Sequence, residues 1–526
     1  MASTLSSSTA GDMDHAGGPL PEASARAAKP AESDDDIPTD RMEICGAEIP
    51  AADAPYGGAA AASASASSSS TADDTDGTTG AGGGGAEAST MARAVSSGDP
   101  EDDENTPSDR MQICGVEKPV TEPPCGSTAA RCKENQGWRR IVRNFTPSWF
   151  SVNMGTGIVS ILLYNLPYNA RWVQYIAIAI FVLNIALFSA FLLISVARYT
   201  LYPEIWGVMI KHPAQSLFLG CMPMGLATII NMIVFVCASW GPWVIYLAWS
   251  LWWLDVIASC ACGLMFPFIV VHHHRNKLAT MNATLLLPIV PAIVASASGG
   301  VVAAVLPHPS HVVTTVVVSY VLWGLGQAFA FYIMTIYFLR LQIHDLPPRE
   351  AIVSVFLPVG PLGQGGFAIQ QLGKVALAVL PRTGAFNGDS IQGGSAGALD
   401  ASAMYGGVVL YILGVVGALF MWGAALGWLA FALFSILTTK SFPFNMGWWG
   451  FTFPLGVFTT CTGLMATELS SGFLHVLTEI FSASVLLLWI MVSSKTLFLA
   501  VKGDIFYAPC LNDLPKDEVA EGKRTV

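Results

Sequence analysis

Charge is what this chain has least of. Only 12% of its 526 residues are Asp, Glu, Lys or Arg, while 53% are hydrophobic. Soluble domains carry roughly 25% charged residues, so a wholly water-exposed globule is excluded for most of the length. A disulfide or zinc framework is missing too. Cys45, Cys114, Cys125 and Cys132 fall in a polar leading segment, where thiols of a cytosolic chain stay reduced. Cys221, Cys237, Cys260, Cys262 and Cys461 fall in apolar runs, as packing residues do. The run Gly363-Gln-Gly-Gly366 is not followed by Lys-Ser/Thr, so it is no phosphate loop and ATP-driven transport has no support. His272-His-His-Arg275 places three consecutive imidazoles in different directions on a helix, which suits a charged helix end better than a metal site. With no nucleophile–base pair, metal set or cofactor loop in the apolar part, the chain is read as a non-enzyme without cofactor. No basic segment followed by a short apolar core opens the sequence, so no cleavable signal peptide is expected and the first apolar helix directs insertion.

The charge that is present is unevenly placed. Residues 1–130 hold 23 acidic and 6 basic side chains, a net −17, against −11 for the whole chain, which leaves about +6 for the rest. The acidic balance therefore describes the leading segment alone. Rich in Ala, Ser, Gly, Thr and Asp, that segment has too little apolar surface to offset the entropy of ordering, and it is read as a disordered cytosolic tail over 1–137. Inside it Asp40–Pro50 returns as Asp109–Pro119 with eight of eleven positions identical. Two readings stand: a duplicated docking motif for a cytosolic partner, and a silent segmental duplication.

What is abundant is long apolar sequence. Stretches of about 20 such residues cross a bilayer, and ten are found: 146–166, 172–197, 215–238, 243–271, 283–306, 312–339, 351–380, 404–438, 444–467 and 472–500. Arg139, Arg140 and Arg143 precede the first; Arg198 and Lys211, Arg275 and Lys277, Arg340 and Arg349, Lys440, and Lys502 follow every second one. The positive-inside rule then puts both ends in the cytosol, including a C-terminal tail over 504–526. On that side the sequons at Asn144 and Asn282 are expected to stay unused.

Gly155, Pro223, Pro291, Pro361 and Pro454 recur 68, 68, 70 and 93 residues apart, one in each odd-numbered segment. A polar insertion near 382–402 accounts for the longer step. Gly157, Gly225, Gly363 and Gly456 follow two residues later in four of the five. Proline inside a helix bends or breaks it, and glycine admits a neighbouring backbone or a solute. Broken helices are tolerated in a membrane where neighbours or a water-filled cavity cover the break. The expectation is five hairpins, odd helices inside and even helices outside, around a pore.

Cys221-Met-Pro-Met-Gly-Leu-Ala-Thr-Ile-Ile-Asn231, Leu285-Leu-Leu-Pro-Ile-Val-Pro291, Leu357-Pro-Val-Gly-Pro-Leu-Gly-Gln-Gly-Gly-Phe367 and Gly447-Trp-Trp-Gly-Phe-Thr-Phe-Pro-Leu-Gly456 fall one per hairpin, in order. They resemble the fungal sulfite efflux transporters of the tellurite-resistance/dicarboxylate transporter superfamily, which includes the plant slow anion channels. The resemblance covers residues 138–503. It implies an all-α membrane domain of ten transmembrane helices in quasi-fivefold arrangement around a central pore, assembled as a homotrimer in the plasma membrane. It also implies an aromatic plug at the residue before the ninth segment's proline, Phe453; the alternative is one more core aromatic. Asn153, Thr228, Gln364, Thr452 and Thr459 are polar positions near the kinks, either lining the path or bonding helix to helix. Lys374 is the exceptional cation of the odd segments. Asp255, within the fourth segment, is either a proton-coupling carboxylate or an anchor paired to another helix. Glu479 has the same two readings, and Glu468 is expected to be solvated.

The function expected from the resemblance is export of sulfite or bisulfite. Two alternatives remain: a proton-coupled malate or C4-dicarboxylate carrier, and an anion channel gated by phosphorylation of the Ser-rich tail.

Overall fold

A computed structural model describes residues 137–274, 277–383 and 396–513. The expected acidic tail with its repeat lies outside the described residues, as do most of the 382–402 insertion and the end of the C-terminal tail. Among the described residues all regular structure is helical. Each apolar segment holds one main helix: α1 Phe150–Tyr164, α2 Arg171–Leu201, α3 Cys221–Met232, α4 Pro242–His273, α5 Val290–Ala303, α6 Pro309–Ile343, α7 Val359–Thr383, α8 Ala396–Thr438, α9 Thr452–Glu468 and α10 Gly472–Lys502. Seven helices, counted with the turns that extend them, are long and apolar enough to cross a membrane. The others, α1, α5 and α9, have 15, 14 and 17 residues.

The reason for the shortness corrects the sequence expectation. The prolines do not kink helix interiors. Pro223, Pro291, Pro361 and Pro454 each occupy the second or third position of α3, α5, α7 and α9. There the fixed φ of proline suits the start of an α-helix. Gly155 interrupts nothing, and α1 is continuous through it. The break comes earlier, where each odd helix is entered through a tight 3-10 segment: Pro147–Trp149, Ser216–Gly220, Ala283–Leu286, Ile352–Phe356 and Met446–Phe451. Two of these are started by asparagine. Asn282 Oδ1 accepts from the Thr284 N–H at 3.0 Å and Asn445 Oδ1 from the Gly447 N–H at 2.8 Å.

Burial separates the helices by parity. In the most apolar stretch of each even helix 22–33% of positions are buried, against 67% in Ser216–Trp240 and 89% in Ile352–Leu380. All 14 residues of α5 are buried. Odd helices are therefore inside, as the sequence pattern predicts. Their contacts run α1–α3, α3–α5, α5–α7, α7–α9 and back from α9 to α1. Each even helix packs on the odd helix before it and the odd helix after it in that circuit, α10 on α9 and α1.

Glycine makes the close passages. A Cβ on Gly363 would come within 2.6 Å of the Phe458 Cα, and one on Gly456 within 2.5 Å of Ile158. Two buried arginines finish even helices at the end of the bundle that carries the termini. Arg198 donates to the Phe145 carbonyl at 2.7 Å, and Arg340 to those of Ala279 and Asp345. At this end Phe506 stacks on Trp149, with ring centroids 5.0 Å apart. The Asn144 side chain accepts from the Ala508 N–H at 3.2 Å.

Candidate functional site

Two cavities lie among the odd helices. The larger, about 520 Å³, opens toward the turns that join each odd helix to the next even one and is bordered by Asn165, Pro167 and Asn169 there. Its size falls within the range of roughly 300–1,000 Å³ usual for small-ligand sites. The smaller, about 70 Å³, is enclosed by the 3-10 entries, including Phe218, Leu286, Val353 and Met446. The two linings share one residue among those described, Phe453. Phe453 is 3% exposed and borders both.

The other sequence candidates divide. Thr228, Gln364 and Thr459 border the larger cavity, and Pro361 and Pro454 the smaller. Asn153 instead donates to Asn184 Oδ1 at 3.1 Å, while Asn184 donates to Thr228 Oγ1 at 3.2 Å, a chain that ties α1 and α3 to α2. Thr452 donates to the Trp449 carbonyl at 2.8 Å. Gly155 faces Trp449 and Thr452, Gly157 faces Thr228 and Asn184, and Gly225 faces Asn153. Pro223 and Pro291 are buried in the first turns of α3 and α5.

The charged candidates are also placed. Lys374 pairs with Glu468 at 2.8 Å, and Tyr411 donates to the second Glu468 oxygen at 2.7 Å, so Glu468 is bound rather than solvated. Glu479 accepts from the Tyr168 N–H at 3.0 Å. Asp255 is fully buried on the inward face of α4, and neither carboxylate oxygen has a hydrogen-bond partner among the described residues. No group of His, Cys, Asp and Glu suited to a metal occurs among them.

The voltage-dependent anion channel family, SLAC1, matches residues 144–497, from before α1 into α10. The chain belongs to that family. It is 47% identical over 377 residues to the sulfite efflux pump SSU1 of Arthroderma benhamiae, covering 72% of this chain and 96% of that one. Sulfite efflux pump SSU1 of Saccharomyces cerevisiae is 25% identical, over 60% and 78%. The malic acid transport protein of Schizosaccharomyces pombe is 24% identical, over 66% and 77%.

This SLAC1-family chain also builds its cavity from residues that the sequence reading passed over. His475, Thr478 and Ser482 of α10 border the larger cavity. Their spacing, i, i+3 and i+7, puts them on one helix face. That polar stripe in an otherwise apolar segment was a legible signal, masked by assigning even helices wholly to the periphery. Gly463 of α9 explains the access, since a Cβ there would meet Thr478 Cγ2 at 3.3 Å. Asn231 and Thr460 border the same space.

Proposed function

We propose that this protein exports sulfite, as the bisulfite or sulfite anion, from the cytosol across the plasma membrane through a pore occluded by Phe453. The substrate rests on the near full-length likeness to sulfite efflux pumps. The route rests on one observation: Phe453 borders both cavities. The closed circuit of odd helices supports ten membrane crossings in quasi-fivefold order around that route, and the basic residues support cytosolic termini. Lengths of 15 and 14 residues are compatible with crossing because α1 and α5 are sheathed by neighbours. A negative-inside potential supplies about 2.3 kcal/mol per charge per 100 mV for outward anion flow. A pore with few fixed charges lets a weakly held anion leave again. One pore per subunit of a homotrimer, and a cytosolic partner for the tail repeat, complete the proposal.

The test is anion current in a heterologous membrane with sulfite, chloride and malate in turn. Phe453→Ala is expected to raise the sulfite current, because the ring that borders both cavities is removed while the helices that frame it remain. Equal currents in the two proteins would remove Phe453 as the plug. A second function has one observation in its favour, the buried and unpaired Asp255 carboxylate. Malate flux that needs a pH gradient and is lost in Asp255→Asn would replace sulfite export with a coupled dicarboxylate carrier.

A further inference from the structure

The polar groups of the larger cavity are of two kinds. Its threonines have already used their hydroxyl protons. Thr228, Thr459, Thr460, Thr467 and Thr478 donate to the carbonyls of Gly225, Leu455, Val457, Gly463 and Leu474 at 2.7, 2.7, 2.8, 3.1 and 2.8 Å. A hydroxyl has one proton, so these side chains turn only lone pairs to the cavity, the wrong polarity for an anion.

Three buried side chains there have kept their donors. Asn231 on α3, Gln364 on α7 and Ser482 on α10 border the cavity and are 8%, 5% and 4% exposed. Ser482 Oγ has no partner among the described residues, and neither the Asn231 nor the Gln364 side-chain amide takes part in a hydrogen bond there, so the Nδ2 and Nε2 donors are free. Buried donors left bare are costly, and protein interiors rarely keep them without an occupant. Three such donors from three helices around a solute-sized space fit the oxygens of a small oxyanion. Neutral N–H and O–H dipoles hold an anion without a fixed cation that would trap it.

At the mouth of the same cavity stands His475. Its Nδ1 is buried without a partner, and its ring meets Tyr168 edge-on with centroids 6.5 Å apart.

We propose that Asn231, Gln364 and Ser482 form an oxyanion-binding site in the larger cavity. The site deepens the export function and rests on it.

Transport kinetics in proteoliposomes of the full chain test this with two probes, sulfite and nitrate, the second keeping one charge at all working pH values. Ser482→Ala and the isosteric Gln364→Glu are expected to raise the half-saturating sulfite concentration, by about tenfold for the first, the worth of one hydrogen bond to a charged group. Unchanged half-saturation in both cavity variants would mean that water alone fills the site and would overturn it. A wild-type protein that carries neither anion would overturn export and this site together.

Discussion

At the scale of single residues, the cavity is selective by what it leaves unpaired rather than by charge. Lys374, the cation that stands out among the odd segments in the sequence, is spent on Glu468, and neither side chain borders either cavity. Lys374→Met is therefore expected to leave the permeability ratio of sulfite to chloride unchanged, as read from reversal potentials. A shifted ratio would mean that a fixed charge does take part in selection. Phe453 was legible only through the resemblance, because nothing in hydropathy distinguishes one phenylalanine from the other 26. The polarity of the threonines was not legible at all. A hydroxyl in a helix has two uses, the carbonyl of the preceding turn or the cavity, and only coordinates decide between them.

At the scale of elements, the five recurring Gly/Pro positions located the odd helices correctly and misassigned the cause. The sequence presents proline within a long apolar run, which reads as a kink. The chain instead ends a 3-10 entry and starts a new α-helix there, which suits the fixed φ of proline. The glycines two residues later serve the seams between helices. Gly363 lies against the Phe458 backbone, which cannot rotate away as a side chain could. Gly363→Ala is expected to destabilise the α7–α9 seam by about 1–3 kcal/mol, the usual cost of overpacking. Gly423 on α8, with no atom within 4 Å of a built Cβ, supplies the control. Gly423→Ala should be neutral or slightly stabilising, since alanine favours helix. Thermal unfolding of both variants in detergent decides it, and equal melting temperatures would remove the seam. The α10 stripe is the complementary lesson. Parity assigned that helix to the outside, and burial agrees for most of it, yet three residues reach the cavity over a glycine.

At the scale of the whole molecule, hydropathy and basic residues gave the helix order but not its closure. No periodicity in one strand of text says that α9 touches α1; that contact joins positions some 300 residues apart and appears only in the packed circuit. The circuit is also self-sufficient. Every odd helix has two odd neighbours and even helices behind it, and the match to the anion channel family begins at 144 and ends at 497. The sulfite efflux pump of Arthroderma benhamiae aligns over 96% of its length while using 72% of this chain. The acidic leading segment, whose net −17 falls in residues 1–130, lies outside the family match. Deleting residues 1–130 is expected to preserve sulfite efflux and its Phe453 dependence when flux is normalised to protein at the cell surface. Any role of the tail in regulation would then appear as altered response to phosphorylation, with the unstimulated flux intact. Loss of that normalised flux on deletion would instead make the tail part of the conducting structure, and the ten-helix circuit would no longer suffice for transport.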